Sequence, residues 1–587
     1  MTKIMTNSIF RLILTSLFLS VIFISCNKDE VIETQSPGIT FGEESGVYTV
    51  KTGRSITITP TVSNATNPKY IWKMDGTIIG STASYTFSND KTGEYFITFR
   101  VEADNGYAEE EIRIDVVEKM TPVISLAIPE DGHFTAVKGQ ELEIVAQVKF
   151  GQGSTHIWKL NNTVVTSKSD SLYVFKQNDL GDYTLSLTVI SDEDGQDEIS
   201  TTVKVVEALP LEINFENENE NGIVTMTASL NRALYITPVI INDTENTSFQ
   251  WYQDNTPFVE ETGKILKFIP DQIRDYQIKI VGTTPGQAAV EKSITVKCVA
   301  AEGEFYREAT ASSKAEQNKV YKFLPAPGQF VNEGYTATTM AAANAYAEQE
   351  MKKGQYVSLG GFGGYIVVGF DHSILNISKS YDGKYDFAID GNSFPGSSEP
   401  GIVWVMQDEN GNGLPDDTWY ELKGSEHGKA ETIQNYAITY YKPAAPGMDV
   451  QWKDNRGKSG AIKYMKQFHT QDYYYPEWVT TGSYTLRGTC LECRNYQDGN
   501  GTWINDAYDW GYADNFGEDK GSNDNNSEAN PNANYFKISN AVYADGSPVE
   551  LYYIDFIKVQ TGVNAQSGWI GEVSTEVFGF KDLNINK

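Results

Sequence analysis

Apolar and polar residues alternate along most of this chain in short runs, and one stretch alone follows helical spacing. In 183–189 the order Tyr-Thr-Leu-Ser-Leu-Thr-Val sends every second side chain to one face, the period of a half-buried strand. Runs of this kind recur in a larger unit that appears three times. A Trp segment, Tyr70-Ile71-Trp72, His156-Ile157-Trp158 or Phe249-Gln250-Trp251, leads into a polar turn at Asp75-Gly76, Asn161-Asn162 or Asp254-Asn255. A Tyr-led strand follows at Tyr95, Tyr183 and Tyr276, 23, 25 and 25 residues after the Trp. A core Trp opposite a Tyr-led strand predicts an Ig-like sandwich, here without cysteines for an inter-sheet disulfide. The modules are placed at 38–119, 120–207 and 208–301, as spacers or a stalk with nothing catalytic in them.

Beyond 302 the pattern changes. Thr338 is expected to cap a helix over 339–351, closed by Gly354. Short β-type runs follow at 365–370, 385–389, 402–406, 436–441, 536–538 and 554–560. Their Gly/Asn/Asp-rich connections predict a larger β-sandwich of jelly-roll type over 302–587. The fold class expected is therefore all-β and multidomain: three tandem Ig-like sandwiches, then this larger sandwich with one short helix.

The connection after 402–406 is rich in oxygen. Asp408, Asn410 and Asn412 occupy loop positions one, three and five, Gly413 six, the carbonyl of Leu414 seven and Asp416 nine. A hard cation such as Ca²⁺ takes six to eight such oxygens, so this spacing predicts a Ca²⁺ loop. Trp419 stands where an EF-hand carries its bidentate Glu, so Asp417 or Glu421 must close the site. A metal-free Asn/Gly/Asp turn is the alternative.

Composition narrows the class. The chain has 587 residues, too many for one core, with 78 Asp+Glu against 47 Lys+Arg and a net charge of −31, which argues against a nucleic-acid partner. Lys3 and Arg11 precede an apolar run at 12–24 that is short for a membrane span and ends Phe23-Ile24-Ser25-Cys26. This resembles a bacterial lipoprotein signal (1–25), with lipid on Cys26 and a tether over 26–37; Phe23 departs from the usual pattern. Lys28-Asp29-Glu30 resembles the export signal of Bacteroidetes surface lipoproteins, implying a lipid-anchored protein on the outer face of the outer membrane. No later segment reads as a membrane span. Cys298, Cys490 and Cys493 remain, and Cys490-Leu491-Glu492-Cys493 has no second pair beside it, leaving a local disulfide or two idle thiols.

The Trp/Asp-Gly and Gly-x-Tyr pairs resemble the PKD family of Ig-like domains. In the last domain, Gly360-Gly361-Phe362-Gly363-Gly364, Tyr508-Asp509-Trp510-Gly511-Tyr512-Ala513-Asp514-Asn515 and the blocks 325–332, 369–372, 408–417, 554–561 and 571–577 resemble cell-surface lipoproteins of gut Bacteroidetes. Genes of that group often accompany TonB-dependent uptake systems, including those for cobalamin. The resemblance implies ligand capture for such a transporter, with a corrinoid as first candidate, and supplies no catalytic residues.

The residues themselves add aromatic density. Tyr473, Tyr474, Tyr475 and Trp478 fall together, and Trp503, Trp510 and Tyr512 follow. If 473–475 is a strand, alternate rings face outward, where they would stack on a sugar or a planar macrocycle. His372, His427 and His469 lack metal-ligand spacing, and no Gly-x-Ser-x-Gly elbow, phosphate loop or dinucleotide fingerprint occurs. The chain therefore reads as a binding protein, with no enzyme activity expected. A glycan-binding or adhesive role is the alternative to ligand uptake, and a glycan-active enzyme the third.

Overall fold

A computed structural model describes residues 36–43, 46–219, 221–379, 385–465, 468–499, 501–521 and 530–585. Cys26, the apolar run before it and Lys28-Asp29-Glu30 lie outside the described residues. Among the described residues the chain is all-β with one α-helix. No helix among the described residues is long and apolar enough to cross a membrane.

Each of the three modules carries a five-stranded sheet with the same strand order. In the first, Val47–Lys51 lies parallel to Gly106–Val117, followed by Gly93–Ala103, Lys69–Met74 and Thr77–Gly80. His133–Val137 and Val224–Ser229 open the corresponding sheets of the second and third. The tryptophans sit at the same point of each and are sealed from solvent: Trp72, Trp158 and Trp251 are at most 1% exposed. A buried indole N–H needs an acceptor. Each finds a backbone carbonyl in the loop beyond the turn, Thr82 at 2.9 Å, Asp170 at 3.2 Å and Gly263 at 2.9 Å.

The turn residues are chosen by backbone geometry. Asp75-Gly76, Asn161-Asn162 and Asp254-Asn255 all have positive φ at both positions, the mirror-image turn that matches strand twist in a two-residue hairpin. Each tyrosine hydroxyl reaches back four residues to a carbonyl: Tyr95 to Lys91, Tyr183 to Asp179 and Tyr276 to Gln272, at 3.0–3.1 Å. These are tyrosine corners, and they pin the strand entry that a disulfide would otherwise hold.

The last domain is built on a six-stranded antiparallel sheet. Its order is Lys319–Leu324, Tyr365–Leu375, Tyr553–Thr561, Gly401–Met406, Trp419–Leu422 and Ala541–Val542. A four-stranded sheet centred on Ile433–Tyr441 and a three-stranded one centred on Phe387–Asp390 complete it. The helix is Met340–Lys352, burying Ala343, Ala347 and Met351. Its cap is Thr339, one residue beyond the expected Thr338, because the Thr339 side chain accepts from the N–H of Ala342 at 3.2 Å. The expected strand at 536–538 is also corrected. Ala533–Phe536 is the strand, and Ile538–Asn540 turns into a 3-10 helix because Asp386 accepts the Ile538 N–H at 2.7 Å. The Gly-Gly-Phe-Gly-Gly run is a close-packing device. Gly360 has φ +67°, and a Cβ there would collide with the carbonyl of Ala326.

The modules do not stand clear of the last domain as a stalk would. Lys149 of the second donates to the carbonyl of Pro446 at 2.5 Å, and Tyr235 of the third donates to Asp545 at 2.8 Å. Replacement of Trp158 by Ala is expected to cost about 3–5 kcal/mol, the range for a fully buried large side chain. Denaturant unfolding followed by circular dichroism would measure it, and a loss under about 1 kcal/mol would place Trp158 outside the core.

Candidate functional site

The loop 408–417 leaves the central strand Gly401–Met406 and is wrapped around its own side-chain oxygens. Buried Asp408 accepts from the N–H groups of Asn412 at 3.0 Å and Gly413 at 2.8 Å. Asn410 accepts from Asn412 at 3.0 Å, and Asn412 from Leu414 at 2.7 Å. The Asn412 amide donates to both oxygens of Asp416 at 3.1 Å. Asp417 closes the loop, accepting from the Asn410 amide at 2.8 Å and the Glu409 N–H at 2.7 Å. Gly411 and Gly413 supply the positive φ that the sharp turn demands. Burial lifts the Asp417 carboxyl to about 6, and also raises Asp408. An all-oxygen set of this kind fits a hard cation. Glu421, the other residue considered for closing the site, is turned away on the next strand, where it accepts from Thr489 at 2.5 Å.

The same loop is the seam with the third module. Arg232 is about one-tenth exposed, with Nη2 2.7 Å from Glu302 and Nη1 3.7 Å from Glu409. Its Nη1 also donates to Gln407 at 2.5 Å. Ser229 donates to Glu409 at 3.1 Å, and Tyr235 packs on Tyr543 with ring centroids 4.8 Å apart. Burial pushes Glu409 up to about 7 despite the neighbouring guanidinium. The residues that would hold an ion therefore share a loop with those that hold a module.

The aromatic stretch is largely interior. Tyr474 and Tyr475 are each 1% exposed, and Trp478 and Tyr512 are also buried. The Tyr474 hydroxyl accepts from Met465 N–H at 3.0 Å and donates to His469 O at 3.1 Å. Tyr475 donates to Thr481 O at 3.1 Å, and Trp478 packs on Phe323. Tyr512 accepts from Glu426 N–H at 3.0 Å. These four have no face free for a ligand, which corrects the expectation of outward stacking rings. The reason is backbone form: 473–478 is not a strand, so successive rings need not alternate and can turn inward together. Tyr473 and Trp503 are half-buried, the latter on the short hairpin Asn495–Gln497 with Trp503–Asn505.

Trp510, among the aromatics expected to meet a ligand, lines a cavity. It is half-buried on the rim of a space of about 350 Å³ shared with Tyr385, Tyr535, Lys423, Lys537 and Asp519. The rings of Tyr385 and Tyr535 are 5.7 Å apart, and the Lys537 ammonium lies 5.1 Å from the Tyr385 ring centre. Asp519, held up at about 6 by burial, accepts from Gly511 N–H at 2.7 Å and Asn534 Nδ2 at 3.1 Å. A larger space of about 640 Å³ lies where the first two modules meet the last domain, lined by Asp115, Val117, Lys149, Phe150, Asp449 and Tyr464.

Two further clusters escaped sequence reading. Glu399, Asp514 and Glu576 bring their carboxyl oxygens within 4.8 Å of one another, and burial holds all three above the ordinary carboxylate range. His372 is 1% exposed between Asp371 at 2.7 Å and Asp582 at 2.8 Å, contacts that raise its pKa. His427 and His469 lie elsewhere; His469 is 3.0 Å from Glu333. Cys490 and Cys493 are free thiols, the first buried and raised to about 12.

Arg232→Met should strand Glu302 and Glu409 as buried acids, costing about 3–5 kcal/mol, the usual cost of breaking a buried pair. Thermal unfolding would report it, and adding Glu409→Gln should recover part of the loss. Equal stability of wild type and Arg232→Met would mean the seam is open to water.

Among comparisons with known proteins, a PKD-like domain family model matches residues 36–103. No curated protein matches the chain. Among solved structures, the chain is similar to the fibronectin(III)-like modules of Clostridium thermocellum CbhA, at 19% identity over 29% of this chain and 94% of that one, TM-score 0.18. It is also similar to extracellular domains 3–5 of Drosophila OTK, at 10% identity over 43% and 94%, TM-score 0.18. A third is SGBP-B of a Bacteroides ovatus mixed-linkage glucan utilization locus, solved with a mixed-linkage heptasaccharide, at 11% identity over 82% and 99%, TM-score 0.17. TM-scores this low carry no argument about ligand or site. What stands is a PKD-like first module within an all-β chain of repeated sandwiches.

Proposed function

We propose that this chain is a cell-surface binding protein that captures a glycan, held on the outer membrane through lipid on Cys26 and working beside a TonB-dependent transporter. The observation that supports the ligand class is the cavity at Trp510. At about 350 Å³ it falls near the small end of the range for small-molecule sites, roughly 300–1,000 Å³. One or two sugar rings fill such a space, whereas a corrinoid with its side amides and nucleotide loop exceeds it. Half-buried Trp510 offers a flat apolar face that a pyranose stacks on, with polar groups beside it to fix its orientation. A corrinoid is the second reading, favoured by the wider amphipathic space of about 640 Å³ under the first two modules.

The loop 408–417 binds Ca²⁺ in this reading, through Asp408, Asn410, Asn412, Asp416, Asp417 and the carbonyl of Leu414. The ion's work is structural: it neutralises acids that the buried seam crowds together, and so stiffens the joint on which the sandwich rests.

Calorimetry of the full chain against dietary and host oligosaccharides and, separately, cyanocobalamin tests the ligand. Glycan binding that weakens roughly tenfold or more in Trp510→Ala is expected, the loss of one stacked ring. Corrinoid binding that is indifferent to Trp510 would replace it with the second reading. For the ion, added Ca²⁺ should raise the melting temperature of the wild type and leave Asp408→Ala/Asp416→Ala unmoved, because a ligand of the folded state alone stabilises by mass action. A melting temperature indifferent to Ca²⁺ and chelator in the wild type would reduce the loop to a turn.

A further inference from the structure

The cavity beside Trp510 is lined by two lysines, Lys423 and Lys537, and by two acids, Asp519 and Glu518. A protein at −31 repels anions at long range, and many of its lysines are paired with acids, as Lys138 is with Glu207 and Lys429 with Glu426. Lys423 and Lys537 line one cavity, and among the described residues neither has a carboxylate within ion-pairing distance. Lys537 is instead held over the Tyr385 ring, 5.1 Å from its centre, which orients the ammonium without neutralising it.

The acids and hydroxyls nearby are already engaged. Asp519 is buried and gives its two oxygens to Gly511 N–H and Asn534 Nδ2. Glu518 is exposed and has an interaction of its own. The Tyr535 hydroxyl accepts from the Asn530 N–H at 3.0 Å, so that ring serves as a wall. What remains for a ligand is two ammonium groups and the face of Trp510. A neutral sugar would use the ring and leave both cations unmatched. A sugar that also carries an anion would use all three, and a charge-assisted hydrogen bond is roughly twice as strong as a neutral one.

We propose that the cavity beside Trp510 is a seat for an acidic sugar, a terminal ring bearing a carboxylate or sulfate, stacked on Trp510 with its anion met by Lys423 and Lys537. This rests on the glycan reading above and names its ligand class. Discrimination comes from the pair of lysines, acting against Asp519 and Glu518, the two acids that also line the cavity.

The test is calorimetry of the full chain against three matched oligosaccharides: one ending in glucuronic acid, one in the same sugar with a sulfate ester and no carboxylate, and one in glucose. At least one acidic probe should bind about tenfold tighter than the glucose probe, and which of the two does so tells carboxylate from sulfate. The advantage should shrink in high salt. Lys423→Met/Lys537→Met should bring the acidic probe down to the affinity of the neutral one. Both lysines are half-buried, so this variant should keep the wild-type melting temperature, and Trp510→Phe provides a folded control that retains a ring for stacking. Equal affinity for all three probes, weakened alike by Trp510→Ala, would overturn the acidic class and leave the glycan reading standing. Binding of no probe, or binding that Trp510→Ala does not alter, would overturn both.

Discussion

The interaction on which the architecture turns is the guanidinium of Arg232, carried by the third module into the last domain. An ion taken out of water costs several kcal/mol even after the protein relaxes, so such a charge persists only where partners meet it. Arg232 has Glu302, Glu409 and Gln407, drawn from the linker and from the end of a central strand. Those contacts set where the module sits, and through Glu409 they reach the loop that follows. Glu409 lies at about 7 because desolvation outweighs the pull of Arg232, so the pair is held by geometry at an electrostatic cost. An apolar seam would adhere without fixing an angle. A charged, hydrogen-bonded one specifies which residues must meet.

The other modules extend this arrangement. The first is joined to the second by Lys51, which contacts Asp194 at 2.6 Å, and the second reaches the last domain through Lys149. Glu216 of the third faces Arg487 at 4.0 Å. The repeats, with no inter-sheet disulfide, draw rigidity from three local devices repeated in each: the capped indole, the mirror-image turn and the tyrosine corner. The first satisfies a ring N–H that would otherwise be buried without a partner, and the other two set hairpin twist and strand entry. They work within a module and leave its outer faces free to pack on something else.

How much was legible in the sequence follows from the range of the forces involved. Trp158, Asn161-Asn162 and Tyr183 announce themselves because turn chemistry and strand period act over a few residues. The helix was legible within one position of its cap. The seam was not, since Arg232 and Gln407 lie 175 residues apart and neither has a local mark. The cavity is likewise drawn from separate stretches around Tyr385, Lys423, Trp510 and Tyr535. The aromatic run at 473–478 misled for a different reason. A tyrosine in a polar neighbourhood looks like a surface ring, yet its hydroxyl can be met inside by a carbonyl, as Thr481 meets Tyr475. Polarity of sequence neighbours says little about exposure once the backbone leaves strand geometry.

The acidic bias of the chain has an interior counterpart. Glu399, Asp514 and Glu576 converge where the strand Gly401–Met406 begins and the short strand Glu576–Val577 ends the sheet edge beside Val357–Ser358. Three charges so close and so buried would repel one another strongly, and burial raises each toward its neutral form. A carboxyl that keeps its proton becomes a donor as well as an acceptor, which a carboxylate is not. Asp514 accepts from the N–H groups of Asn392, Ser393 and Glu576, each at 2.9 Å. Acids that on the surface would repel anions thus act, once buried, as hydrogen-bonded cross-links between distant segments. The two lysines at Trp510 stand out against both uses, as ammonium groups that share a cavity with Asp519 and Glu518 and yet, among the described residues, form an ion pair with neither.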